Sequence, residues 1–108
     1  MEAGIRAGLS PRSEIGNQNE ALVRALLEAW ARSVREADLE GVLAHHAEDI
    51  VMFDVPAPLQ VRGIDAYRRQ WELFFKEQGN GAFDLGDLEI AAGNDVAFAH
   101  AILTCGPP

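Results

Sequence analysis

The amino-acid sequence predicts an α+β domain, with helices first, a lone strand among them and an antiparallel hairpin at the end. Three observations carry that expectation. Apolar residues recur at four-residue steps through Leu22, Leu26, Trp30 and Val34, the period of a helix face. The run Ile50-Val51-Met52-Phe53-Asp54-Val55 is short and rich in β-branched and aromatic residues, the composition of a strand. The runs Phe83 to Ala91 and Val96 to Cys105 flank Gly93-Asn94-Asp95, residue types that suit a tight turn, so the two runs should pair antiparallel.

Taken in order, Met1 to Gln18 mix Gly, Ser, Pro and charges without periodicity and are expected to form a mobile tail, with the folded domain spanning 19–108. Asn19 can cap a helix running to about Ala37, its core stripe widened by Val23 and Leu27. Asp38 caps a second, shorter helix ending near Ala47, with Leu39, Val42, Leu43 and His46 on one side and Gly41 lowering its intrinsic stability. His45 and His46 point about 100° apart on a helix and cannot readily share an ion, so no metal site is expected. Pro56 and Pro58 stop the strand that follows. Gly63 then opens a third helix, Ile64 to Gln78, with Tyr67, Trp71, Phe74 and Phe75 as an aromatic stripe, and Gln78-Gly79-Asn80-Gly81 ends it.

The residue that stands out is Asp54. Side chains alternate across a strand, so Ile50, Met52 and Asp54 share one face and Val51, Phe53 and Val55 the other. A carboxylate on an otherwise apolar strand either reaches water at the mouth of the sheet or sits in a pocket where desolvation raises its pKa. In the last run Val96, Phe98, His100, Ile102 and Thr104 share a face, and Ala97, Ala99, Ala101, Leu103 and Cys105 share the other. Both faces are nearly apolar, and an edge of that kind needs a cover, either further strands beyond Gly106-Pro107-Pro108 or a second chain.

Composition narrows the function classes. The 108 residues make one domain, and a formal charge of -8 repels a phosphate backbone, so nucleic acid is not an expected partner. One cysteine, Cys105, excludes an internal disulfide, and the first residues lack the apolar core of a signal peptide. A cytoplasmic location is expected, without membrane insertion, because no apolar run approaches the length of roughly 20 residues that a span requires.

The order of these elements resembles the α+β cone of the NTF2-like superfamily, and within it the ketosteroid isomerase-like and SnoaL-like (polyketide cyclase-like) proteins. The resemblance runs from about Leu22 to Gly106 and rests on READLEGVLAHHAEDIVMFDVP, on Arg62-Gly63 before the third helix, and on GNDVAFAHAILTCG. It implies three helices packed on a curved, mostly antiparallel sheet whose last strands lie beyond this chain. It also implies a cofactor-independent chemistry, proton transfer of the isomerase or cyclase type on a small hydrophobic carbonyl compound in an apolar cavity. A homodimer is the default expectation on separate grounds, because closed two-fold pairs are the commonest assembly.

Under that resemblance Asp54 matches the general base of the isomerases. The tyrosine that donates to the oxyanion corresponds to Trp30, whose indole N–H donates a hydrogen bond but lacks the acidity of a phenol. The supporting tyrosines correspond to His46 and Trp71, and the oxyanion-hole aspartate would fall beyond Pro108. His100, on the strand face where family members line the cavity, is either an acid partner for Asp54 or a core histidine satisfied by a backbone carbonyl. The expected site is therefore Asp54, His100 and Trp30 for catalysis, with Val34, His46, Met52, Trp71, Phe98 and Ile102 shaping the pocket. The runner-up is a binding module that holds an apolar ligand in the same cavity without reacting, and a dimerisation domain is the third reading.

Overall fold

The computed structural model describes residues 14–54, 59–78 and 82–106. Helix α1 spans Glu14–Arg35 and α2 Leu39–Leu43, strands β1 Val51–Phe53 and β2 Gln60–Arg62 follow, then α3 Ile64–Gln78, β3 Phe83–Ala92 and β4 Ala97–Cys105. The strands form two antiparallel pairs, β1 with β2 and β3 with β4.

Helix α1 begins five residues before the expected start, so the tail expected over 1–18 is corrected: residues 14–18 are helical, and 1–13 lie outside the described residues. Asn19 is consequently inside the helix and caps nothing; its side-chain amide instead donates to the Gly93 carbonyl at 2.7 Å, in the turn of the β3–β4 hairpin. Arg24 donates to the Leu88 carbonyl and Arg35 to that of Phe83, so the helix grips the hairpin backbone along its length.

The buried stripe of α1 is also turned from the expected one. Leu22 and Leu26 are exposed, whereas Val23, Leu27 and Trp30 are half-buried and Ala31 and Val34 are buried. The reason is that β3 lies against one side of α1, and the 23-27-30-34 row meets it; sequence periodicity marks an apolar arc wider than the surface available to cover it.

A tight corner joins α1 to α2. The Asp38 N–H donates to the Ser33 carbonyl at 2.8 Å and the Ala37 N–H to that of Val34 at 3.1 Å, with Ala37 in the left-handed region at φ 54, which is a Schellman ending built without glycine. Asp38 then serves at once as N-cap of α2, its carboxylate accepting from the Gly41 N–H at 3.1 Å, as the sequence predicts. The corner explains Gly41, whose missing Cβ would stand 2.4 Å from Ser33 Oγ and 2.6 Å from Asp38 Oδ2. Helix α2 stops at Leu43, short of the expected Ala47, because His45 turns into the left-handed region at φ 65.

Strand β1 is shorter than the expected 50–55 run, and Val55, Pro56 and Pro58 lie outside the described residues. Its pairing partner β2 is absent from the sequence expectation, being three residues long with Val61 buried between exposed Gln60 and Arg62. Gly63, at φ 90, turns the chain from β2 into α3, and its carbonyl accepts from the Tyr67 N–H. The third helix has the expected bounds, and the Gly79-Asn80-Gly81 stop lies outside the described residues.

In the final hairpin the register slips by one residue between Gly86 and Glu89, opposite Ala101, with Asp87 at φ 52. This bulge keeps Leu88 and Ile90 on the same face as Phe83 and Leu85 although their spacing is odd. The core forms where this face meets the helices: Ala31, Val34, Val42, Leu43, Tyr67 and Phe83 are buried, with Trp30, Ile50, Met52, Trp71 and Phe74 packed around them.

Candidate functional site

Side chains on β1 alternate as expected. Phe53 is exposed and Val51 nearly half so, while Ile50 and Met52 pack on the core and Asp54, next on their face, opens into a hollow of about 280 Å³. The hollow is lined by Met52, Asp54, Gln70, Trp71, Leu73, Phe74 and Glu77. Asp54 is exposed, so of the two settings weighed for it the structure realises the one at the mouth. Its backbone N–H donates to the Leu59 carbonyl at 3.0 Å, which holds the end of β1 against the chain entering β2.

Four of the lining residues, Gln70, Leu73, Phe74 and Glu77, follow an i, i+3, i+4, i+7 row on α3. Sequence reasoning missed them, apart from Phe74 as a packing residue, because it follows the aromatic stripe and assigns nothing to the adjacent row.

A second hollow, of about 220 Å³, lies between α1 and the hairpin and is lined by Leu27, Trp30, Leu85, Leu88, Ala99, His100, Ala101 and Leu103. The Trp30 and Trp71 rings, edge to face with centroids 5.8 Å apart, stand between the two hollows. Phe83 abuts Trp30 and Phe74 abuts Trp71, and this aromatic cluster is the floor of the site.

The structure places two of the expected catalytic residues, Trp30 and His100, at the second hollow and Asp54 at the first, so the three do not share one site. Ala99, Ala101 and Leu103 are the face of β4 turned toward α1, so His100, with Phe98 and Ile102, belongs to the outer face. Phe98 and Ile102 are exposed, and His100, although it borders the second hollow, has an exposed side chain whose Nε2 lies 3.8 Å from Glu89 Oε1, its cross-strand neighbour. The expectation that Phe98, His100 and Ile102 line a cavity with Asp54 is thereby corrected. Because both faces of the β4 sequence are apolar, periodicity does not say which one the helices cover. Val34 is likewise a core residue and not part of either hollow.

His46 and Trp71 meet through Tyr67, a residue the sequence reading places only in the packing stripe. His46 Nδ1 lies 3.1 Å from the Ala44 carbonyl, which can only accept, so Nδ1 carries the proton. In the neutral ring Nε2 must then accept, and the Tyr67 hydroxyl, 3.2 Å away, donates to it. The Trp30 and Trp71 indole N–H groups are buried without a hydrogen-bond partner among the described residues.

Burial pushes the Tyr67 phenol pKa up, and the neighbouring Trp71 and Trp30 indoles offset this only in part. Stability linked to this group is therefore complete below the ordinary tyrosine pKa of 10.0 and is lost as pH rises toward the folded-state value, because the unfolded chain releases its proton first. Chemical denaturation between pH 9 and 11 should show this alkaline loss, and Tyr67→Phe should reduce it. An equal alkaline slope in both proteins would separate Tyr67 from the effect.

Among the described residues no group of His, Cys, Asp and Glu is arranged to hold a metal ion, and no helix is long and apolar enough to cross a membrane. Helices laid on antiparallel strands, with a strand-borne carboxylate facing the third helix, place the molecule in the NTF2-like class of α+β domains. Comparison with known proteins agrees: the SnoaL-like domain matches residues 23–106. A crystal structure of an NTF2-like protein of unknown function from Pseudomonas putida KT2440 superimposes with a TM-score of 0.80 at 38% identity, over 84% of this chain and 65% of that one. The chain thus spans somewhat under two thirds of that protein's length. None of the curated proteins matches the chain. The chain belongs to the SnoaL-like family.

Proposed function

We propose that the hollow between β1 and α3 binds a small, largely apolar molecule, and that Asp54 is the polar group that orients it. One observation carries this reading: the face of β1 that packs on the core ends in a carboxylate, and that carboxylate shares a hollow with Trp71, Leu73 and Phe74. A hollow with apolar walls and one or two placed polar groups is the usual form of a small-ligand site.

Proton transfer on a carbonyl compound is the second reading, favoured by the same placement of Asp54 against an apolar wall. In that case Asp54 takes the proton from carbon and Trp71 lines the substrate. His100 does not line the hollow that Asp54 lines, which favours the binding reading, so that reading stands first.

Acetophenone serves as a probe for both. Titration followed by the two indole N–H resonances should move Trp71 more than Trp30, and Leu73→Asp should abolish the response; a response confined to Trp30 would place the ligand in the other hollow. For catalysis, exchange of the ketone's methyl protons for deuterium is the measurement. If Asp54 is a base, Asp54→Asn should slow catalysed exchange by roughly 100-fold or more while leaving the fold intact. Exchange no faster than in buffer leaves the domain a binder.

A further inference from the structure

The hollow beside Asp54 contains a second carboxylate, Glu77, on the last turns of α3. Its other described lining residues are Gln70, with a side-chain amide, and Met52, Trp71, Leu73 and Phe74. No lysine, arginine or histidine is among these lining residues. Lys76 adjoins Glu77 in the chain but points about 100° away on the helix and is not part of the wall. The segments that follow the two carboxylates, Val55-Pro56-Ala57-Pro58 and Gln78-Gly79-Asn80-Gly81, contain no ionisable side chain.

An apolar hollow whose described lining residues include two acids and no cation discriminates by charge. An anionic ligand is repelled by both carboxylates, and a neutral one gains from the walls alone. A cation gains from both carboxylates and also from the indole of Trp71, whose ring is the best of the aromatic partners for an ammonium group. The net charge of -8 adds a long-range attraction of the same sign. The arrangement of Asp54 and Glu77 in one aromatic hollow was not legible in the sequence, where they stand on different elements, 23 positions apart.

We propose that the ligand of this hollow is cationic: a small apolar compound bearing a protonated amine or quaternary ammonium group, its charge between Asp54 and Glu77 and its apolar body against Trp71, Leu73 and Phe74. The inference rests on the reading of this hollow as the ligand site and names the class of compound that site takes.

The test compares benzyltrimethylammonium with neopentylbenzene, its neutral carbon isostere, binding to the full chain at low ionic strength. The indole resonance of Trp71 reports where each probe lies. Benzyltrimethylammonium should bind at least about tenfold more tightly than the isostere, and added salt should shrink the difference. Asp54→Asn and Glu77→Gln should each cut the preference several-fold and together remove it. Both positions are exposed, so the variants should fold, which circular dichroism checks. Glu72→Gln, on the same helix but outside the hollow, should leave the preference unchanged. Equal or tighter binding of neopentylbenzene, or a preference that survives the double substitution, overturns the cationic ligand and leaves the hollow as an apolar site. Failure of both probes to move Trp71 overturns the site itself, and the cationic ligand with it.

Discussion

Phe83→Ala is expected to lower the free energy of unfolding by about 3–5 kcal/mol, the range for deleting a buried aromatic ring. Phe83 is 3% exposed at the start of β3, and its ring meets Trp30 on α1 at 5.3 Å and Trp71 on α3 at 6.2 Å. It thus closes the aromatic cluster from the hairpin side, and its loss leaves a cavity that three separate elements would have to collapse to fill. For a domain of this size the thermal midpoint should fall by roughly 10–20 °C. Phe98→Ala is the internal control: at 66% exposure the same truncation should change stability by no more than about 0.5 kcal/mol. Equal losses for the two variants, read by urea denaturation, would mean that the hairpin presents its other face to the helices. The assignment of His100 to the outer face would then fail too.

Val42→Asp should be at least as damaging, with a loss of about 3 kcal/mol or more. Val42 is 0% exposed and lies on a five-residue helix, so its stability comes from what it buries and not from its own hydrogen bonds. A carboxylate there must be buried charged without a partner or stay protonated, and either costs stability. The substitution should be partly relieved as the pH falls and the carboxyl protonates. Loss of the α2 corner should also release Glu40 from Arg68 on α3, a two-pronged ion pair at 2.9 and 3.4 Å that contributes little by itself because Glu40 is largely exposed and water reaches the half-exposed Arg68. A midpoint within a few degrees of the parent, or no recovery at low pH, would show that Val42 is not in the core.

Both predictions depend on which face of each element is inside, and that is where sequence and structure part company. The helix over Ile64–Gln78 was legible to its ends because Gly63 frees the chain for a positive-φ turn and a glycine-rich stop follows. The Asp38 cap was legible because its side-chain chemistry is local. The alternation that puts Met52 and Asp54 on one face followed from strand geometry alone.

The chain's own chemistry thus determined the α+β class, the order of the elements, the SnoaL-like resemblance and the side of β1 on which Asp54 lies. Those properties arise from residues close in sequence, through dihedral preference, capping and alternation. Only the tertiary structure decided that Leu22 and Leu26 face outward, that the Asp87 bulge turns Leu88 toward α1, that His100 is on the far face, and that Glu77 joins Asp54. Each of these is a choice between two apolar faces or a meeting of distant segments. Burial free energy scales with the area covered and not with the pattern itself, so such choices are made only when the elements pack.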